Sequence, residues 1–156
     1  MFNIPGLDSI DLQILQILQE NANVPAKQIA KLLHRSLSVI YDRIRILKKK
    51  GIIHSGIILL NHEKIPGILI VHTLISFTER IEDSLVILKK MIYKHDEVME
   101  CYQVTGKFDF NIKTVTQNMA SYHKLHMELS AIPFLGTIES YVVIAEHKNK
   151  TAIQLI

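Results

Sequence analysis

Apolar positions recur along this chain with two periods, and the switches between them mark its elements. Between Ser9 and Glu20, Ile10, Ile14 and Ile17 fall at helical spacing, with Leu7 and Leu18 beside them. Leu12 and Leu15 widen that arc beyond one face, so this first helix is expected to be buried on more than one side. Asp8 or Ser9 is placed to cap it. Asn21–Pro25 is a turn, and Pro25 suits the start of a second helix over Ala26–Leu33 that presents Ile29, Ala30 and Leu33. His34-Arg35-Ser36 interrupts the pattern. Ser36 can cap a third helix that runs to about Lys50 and stops at Gly51. Its inward stripe is Ile40, Ile44 and Leu47. At about 100° per residue, the opposite face carries Ser38, Asp42, Arg45 and Lys49, with Tyr41 on the flank. Gly51–Gly56 and Ile57–Leu60 predict a strand pair. Two short helices joined by a tight turn, the second basic outside, form a helix-turn-helix pattern, and a following hairpin makes it winged.

Asn61–Gly67, with Pro66 and Gly67, is the expected linker. Beyond it the period alternates between two and 3.6. Ile68–Phe77 is a strand. Glu82–Lys94 is a helix with the stripe Leu85, Leu88 and Ile92, extended by Ile81. Val98–Thr105 and Asp109–Thr116 are strands joined by Gly106-Lys107-Phe108. Asn118 can cap a helix carrying Tyr122, Leu125, Leu129 and Ile132, and Leu135–His147 is the last strand. The order βαββαβ is the ferredoxin-like plan, with both helices on one sheet face. The expected class is α+β: a winged helix-turn-helix over residues 1–60, a linker over 61–67 and a ferredoxin-like sandwich domain over 68–156. The other sheet face would expose Tyr102 and Val104, or Met99 and Cys101, depending on register. Apolar surface of that extent is best covered by a second copy, so a dimer at least is expected.

Charge sharpens this picture. Residues 1–60 hold eight Lys/Arg and four Asp/Glu, whereas residues 61–156 hold ten and eleven. All eight front-half bases lie between Lys27 and Lys50. A basic module joined to a near-neutral one suggests anion binding in the first and a different task in the second. The longest apolar stretch, Gly67–Phe77, is too short to span a bilayer, and the N-terminus shows no secretory pattern, so no membrane partner is expected. A single cysteine, Cys101, excludes an intramolecular disulfide and fits a reduced, cytoplasmic setting. His123 and His126 have ligand-like helical spacing, but no third ligand follows from the sequence, so no metal site is expected. Phosphate loops, nucleophile elbows and paired catalytic carboxylates are missing from the sequence, and no cofactor is expected.

The ordered set of motifs resembles the leucine-responsive/asparagine (Lrp/AsnC) family of transcriptional regulators over nearly the whole chain. Leu7-Asp8, Asp11, Ile14-Leu15, Leu18 and Asn21 carry the likeness in the first helix, and Ile29-Ala30 and Leu33 in the second. Ser36, Ser38, Ile40, Arg43-Ile44, Leu47 and Gly51-Ile52-Ile53 carry it in the third. Val98–Asp109 resembles the family's central hairpin signature, and Ile132-Pro133 with Gly136-Thr137-Ile138 the start of its last strand. The resemblance implies a non-enzymatic regulator of double-stranded DNA that assembles into dimers, often octamers. It also implies an amino acid or similar small effector bound between subunits. The chain departs from the pattern at His34-Arg35, where Gly-Leu is usual, at Asn23, where Arg is common, and at Lys48-Lys49-Lys50, where acidic residues are common.

Ser36 and Ser38 are candidates for phosphate contact, with Arg35 beside the same helix N-terminus. Tyr41, Asp42 and Arg45 are placed for base edges. Arg45 suits guanine and Asp42 the cytosine amino group. Lys48 and Lys49, with Lys50, suit phosphates. Arg43 lies nearer the inward stripe and is expected to form a structural ion pair with Asp8 or Asp11. Gly106 sits where a hairpin needs positive φ. Asp109 either caps that hairpin or lines an effector pocket. Asp109, Glu100 or Glu139 can accept from an ammonium group. Backbone N–H groups near Gly106 and the hydroxyls of Thr105 and Thr137 can donate to a carboxylate. Two rival readings are an enzyme resembling the siroheme decarboxylases, which share this two-part plan, and a nonspecific DNA-compacting protein. The first expects an arginine-rich stretch where this chain has His54-Ser55.

Overall fold

The computed structural model describes residues 4–79 and 82–155. Two compact units emerge: Met1–Leu60 with His147–Ile156, and Asn61–Glu146. The rear boundary therefore differs from the expected 68–156, because Leu155 packs into the core of the first unit.

The first unit contains α1 (Ser9–Glu20), α2 (Ala26–Leu32) and α3 (Leu37–Lys49). Asp8 caps α1 by accepting from the Ile10 and Asp11 backbone N–H groups, and Asp11 accepts in return from the Asp8 N–H. This reciprocal box satisfies donors that the first helical turn leaves without intrahelical partners. Ile14, Leu15, Ile29, Ala30, Ile40 and Leu47 form the core, and Leu155 joins them from the far end of the chain. The Gln19 side-chain amide accepts from the Ile153 N–H at 2.9 Å and donates to its carbonyl at 3.2 Å. Gln16 accepts from the Leu155 N–H at 3.3 Å. A glutamine amide thus satisfies both backbone groups of Ile153.

The expected strand pair over 51–60 is not formed. Residues 54–60 form neither helix nor strand, and Ile57, Ile58, Leu59 and Leu60 are exposed. Ile52–Leu59 and Thr151–Leu155 instead border a cleft of about 610 Å³ along α1. A run of four aliphatic residues gives no alternation to set a hairpin register, which explains why sequence pattern alone overstated it.

The second unit is one antiparallel sheet with two helices. β1 (Leu69–Phe77), β2 (Val98–Gln103), β3 (Phe110–Thr116) and β4 (Leu135–Val142) lie in the order β2-β3-β1-β4. Helices α4 (Glu82–Lys94) and α5 (Met119–Ser130) occupy the positions the βαββαβ order predicts. Val71, Thr73 and Ile75 of β1 and Ile112, Thr114 and Thr116 of β3 are buried under the helices. Tyr122, Leu125, Leu129 and Ile132 face them, as expected, whereas α4 buries Ser84, Leu88 and Met91 and only half-buries Leu85 and Ile92. Ile81, expected to extend that stripe, lies outside the described residues. The last strand ends at Val142 rather than His147.

Register overturns the expected character of the helix-free face. Tyr102 lies opposite Asn111, Glu100 opposite Lys113, His72 opposite Tyr141 and Leu74 opposite Glu139. Directly opposed residues share a face, so this face mixes charged, amide, hydroxyl and apolar groups. Cys101 lies opposite Ile112 on the helix side and packs against the core. Met99 falls at the irregularity between Val98 and Glu100. In place of a purely apolar surface, this face carries a Lys113–Glu100 pair at 2.8 Å between edge strand β2 and β3, and a His72–Asn111 contact at 3.3 Å between the central strands.

Candidate functional site

The turn between α2 and α3 sets the first candidate surface. His34 takes φ +51°, and the Arg35 N–H donates to the Ala30 carbonyl at 3.0 Å, reversing the chain. Ser36 caps α3 by accepting from the Val39 N–H at 3.4 Å, and its hydroxyl meets that of Ser38 at 3.1 Å. Both hydroxyls are exposed at the positive end of the helix dipole. Tyr41, Asp42, Arg45, Lys48 and Lys49 are also exposed. Helix geometry puts Ser38, Asp42, Arg45 and Lys49 in one row. Asp42 pairs with Arg45 at 3.0 Å across one turn, with both side chains well exposed. This pair limits the rotamers of Arg45 while the surface remains open to a ligand.

The remaining bases in α3 and its cap do different work. Arg43 Nη1 donates to Asp8 Oδ1 and Oδ2 at 2.8 and 2.7 Å and to Asp11 Oδ1 at 2.8 Å, as the expected ion pair requires. The Asp11 backbone N–H and the Arg43 guanidinium hold the Asp8 carboxyl below the usual carboxylate range. Lys50 Nζ donates to the Gly6 carbonyl at 3.1 Å, which draws it away from the outward row.

In the second unit the loop Thr105–Phe108 joins β2 to β3, and Gly106 takes φ +117°. The Val104 N–H donates to the Asp109 carbonyl at 2.8 Å. The Asp109 carboxylate accepts from the Phe77 N–H at 2.9 Å, and the Asp109 N–H donates to the Ile75 carbonyl at 2.8 Å. Asp109 therefore anchors the loop to the end of β1, where the β1–β4 register shifts between Ile75 and Phe77. Beside it, the Ser76 hydroxyl accepts from the Thr137 N–H at 3.1 Å. Lys107 pairs with Glu139 at 2.6 Å and lies over the Phe108 ring at 4.8 Å. Hydrogen bonds from Lys107 and Tyr141 hold the Glu139 carboxyl below its ordinary range.

Gly106, Asp109, Thr137 and Glu139 thus come together at one end of the sheet, and Thr105 lies exposed in the same loop. Glu100 does not join them. It sits further along β2, where Lys113 lowers its carboxyl below the usual range. Lys107 is the feature that residue-by-residue reading passed over, although it lay inside the quoted Gly106–Asp109 motif. Its partner is 32 residues away, so only the sheet brings the charges together.

Other candidate chemistry takes structural roles. Burial raises the Cys101 thiol above its ordinary range. His126 meets Ser130 Oγ at 3.4 Å and lies beside the Tyr122 ring. Among the described residues no group of three or more His, Cys, Asp or Glu side chains is arranged to hold a metal ion. Among the same residues no helix is long and apolar enough to cross a membrane.

Residues 7–54 match the winged helix-turn-helix DNA-binding family, and residues 70–153 match the Lrp/AsnC ligand binding domain. The leucine-responsive regulatory protein of Haemophilus influenzae is 31 % identical over 151 residues, covering 96 % of this chain and 91 % of that one. Its Escherichia coli counterpart is 30 % identical, with 96 % and 93 % covered. A Neisseria meningitidis transcriptional regulator solved in complex with L-Met superposes with TM-score 0.87 at 25 % identity, covering 96 % of this chain and 97 % of that one. Escherichia coli AsnC superposes with TM-score 0.81 at 25 % identity, covering 94 % and 97 %. With a DNA-binding helix-turn-helix in front and a ligand-binding sheet domain behind, the chain belongs to the Lrp/AsnC family of transcriptional regulators.

Proposed function

We propose that α3 enters the major groove of operator DNA and that the second unit senses an amino acid and joins copies of the chain, in the cytoplasm. The observation that carries the DNA contact is the exposed row of α3. Arg45 is preset by Asp42, has donors free for a guanine edge, and leaves Asp42 able to accept from a neighbouring cytosine. Tyr41 flanks that row. Ser36, Ser38 and Arg35 suit phosphate at the helix N-terminus, and Lys48 and Lys49 suit phosphates along the groove edge.

For the effector, the pair of exposed Lys107 with half-buried Glu139 is a charge arrangement that a zwitterion can exchange into. Lys107 would take the carboxylate and Glu139 the ammonium, with Gly106 and Thr105 beside them. Asp109 already serves a β1 N–H and holds the loop in shape. The L-Met complex of the Neisseria relative supports an amino acid as the ligand class. Copies associate through the helix-free sheet face, where Tyr102, Leu74 and Tyr141 supply apolar area among paired charges, giving a dimer that can build to an octamer. The test is a gel shift at controlled salt on the DNA upstream of the protein's own gene, with and without a panel of amino acids. Specific retardation that an amino acid shifts supports the reading. Equal binding to operator and random duplex overturns it in favour of nonspecific compaction.

A further inference from the structure

α3 carries more apolar surface than its packing uses. Ile40 and Leu47 are fully buried, but Val39 and Ile46, one residue earlier in each turn, are 38 % and 45 % exposed. They form a second apolar strip about 100° round the helix from the first. Hydrophobic burial is non-directional and scales with area; Ile44 adds to the buried strip, and Val39 and Ile46 offer a smaller strip that competes with it. A roll that buried Val39 and Ile46 would carry Ser38, Asp42, Arg45 and Lys49 about a quarter-turn away from their present direction.

Arg43 and Lys50 lie between the two strips, each about 60° from the buried one. Both are tied to the chain around the start of α1. One guanidinium nitrogen of Arg43 meets three carboxylate oxygens of Asp8 and Asp11, and Lys50 Nζ meets the Gly6 carbonyl seven residues further along the same side of the helix. Those carboxylates cannot follow α3 if it rolls, because they also form the reciprocal cap of α1. The Asp11 side chain is 16 % exposed and that of Arg43 26 %, which shields their pair from solvent more than that of an ordinary surface ion pair.

We propose that Arg43, supported by Lys50, is a positioning residue that fixes the roll of α3 and so determines which side chains meet DNA bases. The proposal rests on the DNA-binding reading given above. It assigns sequence discrimination to a residue that touches neither base nor phosphate.

The test uses the full chain. Duplexes selected by the wild type from a random pool give the specific site, and scrambled duplexes give the reference. Arg43→Met keeps the aliphatic stem and removes the donors. The ratio of specific to scrambled affinity is expected to fall about tenfold, the value of one good base contact. The dependence of binding on salt should be unchanged. Adding Val39→Ser and Ile46→Ser to Arg43→Met should recover discrimination, because the competing roll then has no apolar strip to bury. Asp11→Asn, which removes charge but keeps an oxygen for the cap, should lower discrimination in the same direction if Arg43→Met fails to fold. An unchanged ratio in these variants, or an equal loss on both duplexes, overturns the proposal. A salt dependence shallower by about one counterion also overturns it, because Arg43 would then contact phosphate directly. A wild type that selects no duplex overturns the DNA-binding reading first, and this proposal with it.

Discussion

At position 34 the backbone enters the left-handed region with a side chain that does not favour it. His34 has φ +51°, where the resemblance has a glycine. His34→Gly should therefore stabilise the front unit by about 1 kcal/mol, measured as a shift in the urea midpoint. An unchanged midpoint would mean that the imidazole makes good the strain. Glu100 offers a test of opposite character. The hydrogen bond from Lys113 holds its carboxyl below the ordinary value, so the folded chain binds this proton less readily than the unfolded chain. The resulting stability is present at neutral pH and is lost as pH falls through the lowered folded value. Glu100→Gln should flatten the decline in stability as pH falls below about 5, followed by urea denaturation across the acid range. At this scale the sequence was informative about Arg43, whose place near the inward stripe pointed to an ion pair with Asp8 or Asp11; the structure gives it both. The sequence was uninformative for Asp109, where a hairpin cap and a pocket acceptor fitted equally well. Its actual acceptor role depends on the Phe77 N–H, which strand pairing brings within reach.

Among the elements, the segment Thr151–Leu155 departs furthest from expectation. It has no strand partner, yet Leu155 is 5 % exposed in the core of the first unit and the Gln19 amide holds both backbone groups of Ile153. Leu155→Ala should cost the front unit about 2 to 3 kcal/mol, read as an earlier melting transition and weaker DNA binding. A core that is indifferent to Leu155→Ala would show that the segment only covers the surface. α5 supplies a second case. The Tyr122 hydroxyl meets buried Thr73 Oγ1 at 2.8 Å and, nearer the surface, Ser140 Oγ at 2.5 Å in a row linking helix to sheet. Tyr122→Phe leaves those hydroxyls short of a partner and should lower rear-unit stability by about 1 to 2 kcal/mol in urea denaturation. Hydrophobic spacing located both α5 and its inward face, but it could not specify this polar row, because a hydroxyl's partner is a matter of distance rather than period.

For the whole molecule, the basic front half and near-neutral rear half divide DNA contact from ligand sensing. Arg45→Ala should relax base preference, whereas Lys49→Ala should weaken all duplexes alike and shallow the salt dependence by about one charge. Quantitative gel shifts at several salt concentrations separate the two. If Arg45→Ala left preference intact, the reading row would lie elsewhere on α3. The sequence by itself determined the helix order, the βαββαβ plan, the Ser36 and Asn118 caps and the family, because those follow from local periodicity, capping chemistry and motif order. Tertiary structure decided what depends on residues far apart in the chain. Register sent Cys101 inward and gave the expected apolar face a Lys113–Glu100 ion pair among its apolar groups. Packing brought Lys107 to Glu139, and the chain's far end returned Leu155 to the front core. Local pattern constrains which way a side chain points relative to its own element, whereas its partner is settled only when distant elements pair and pack.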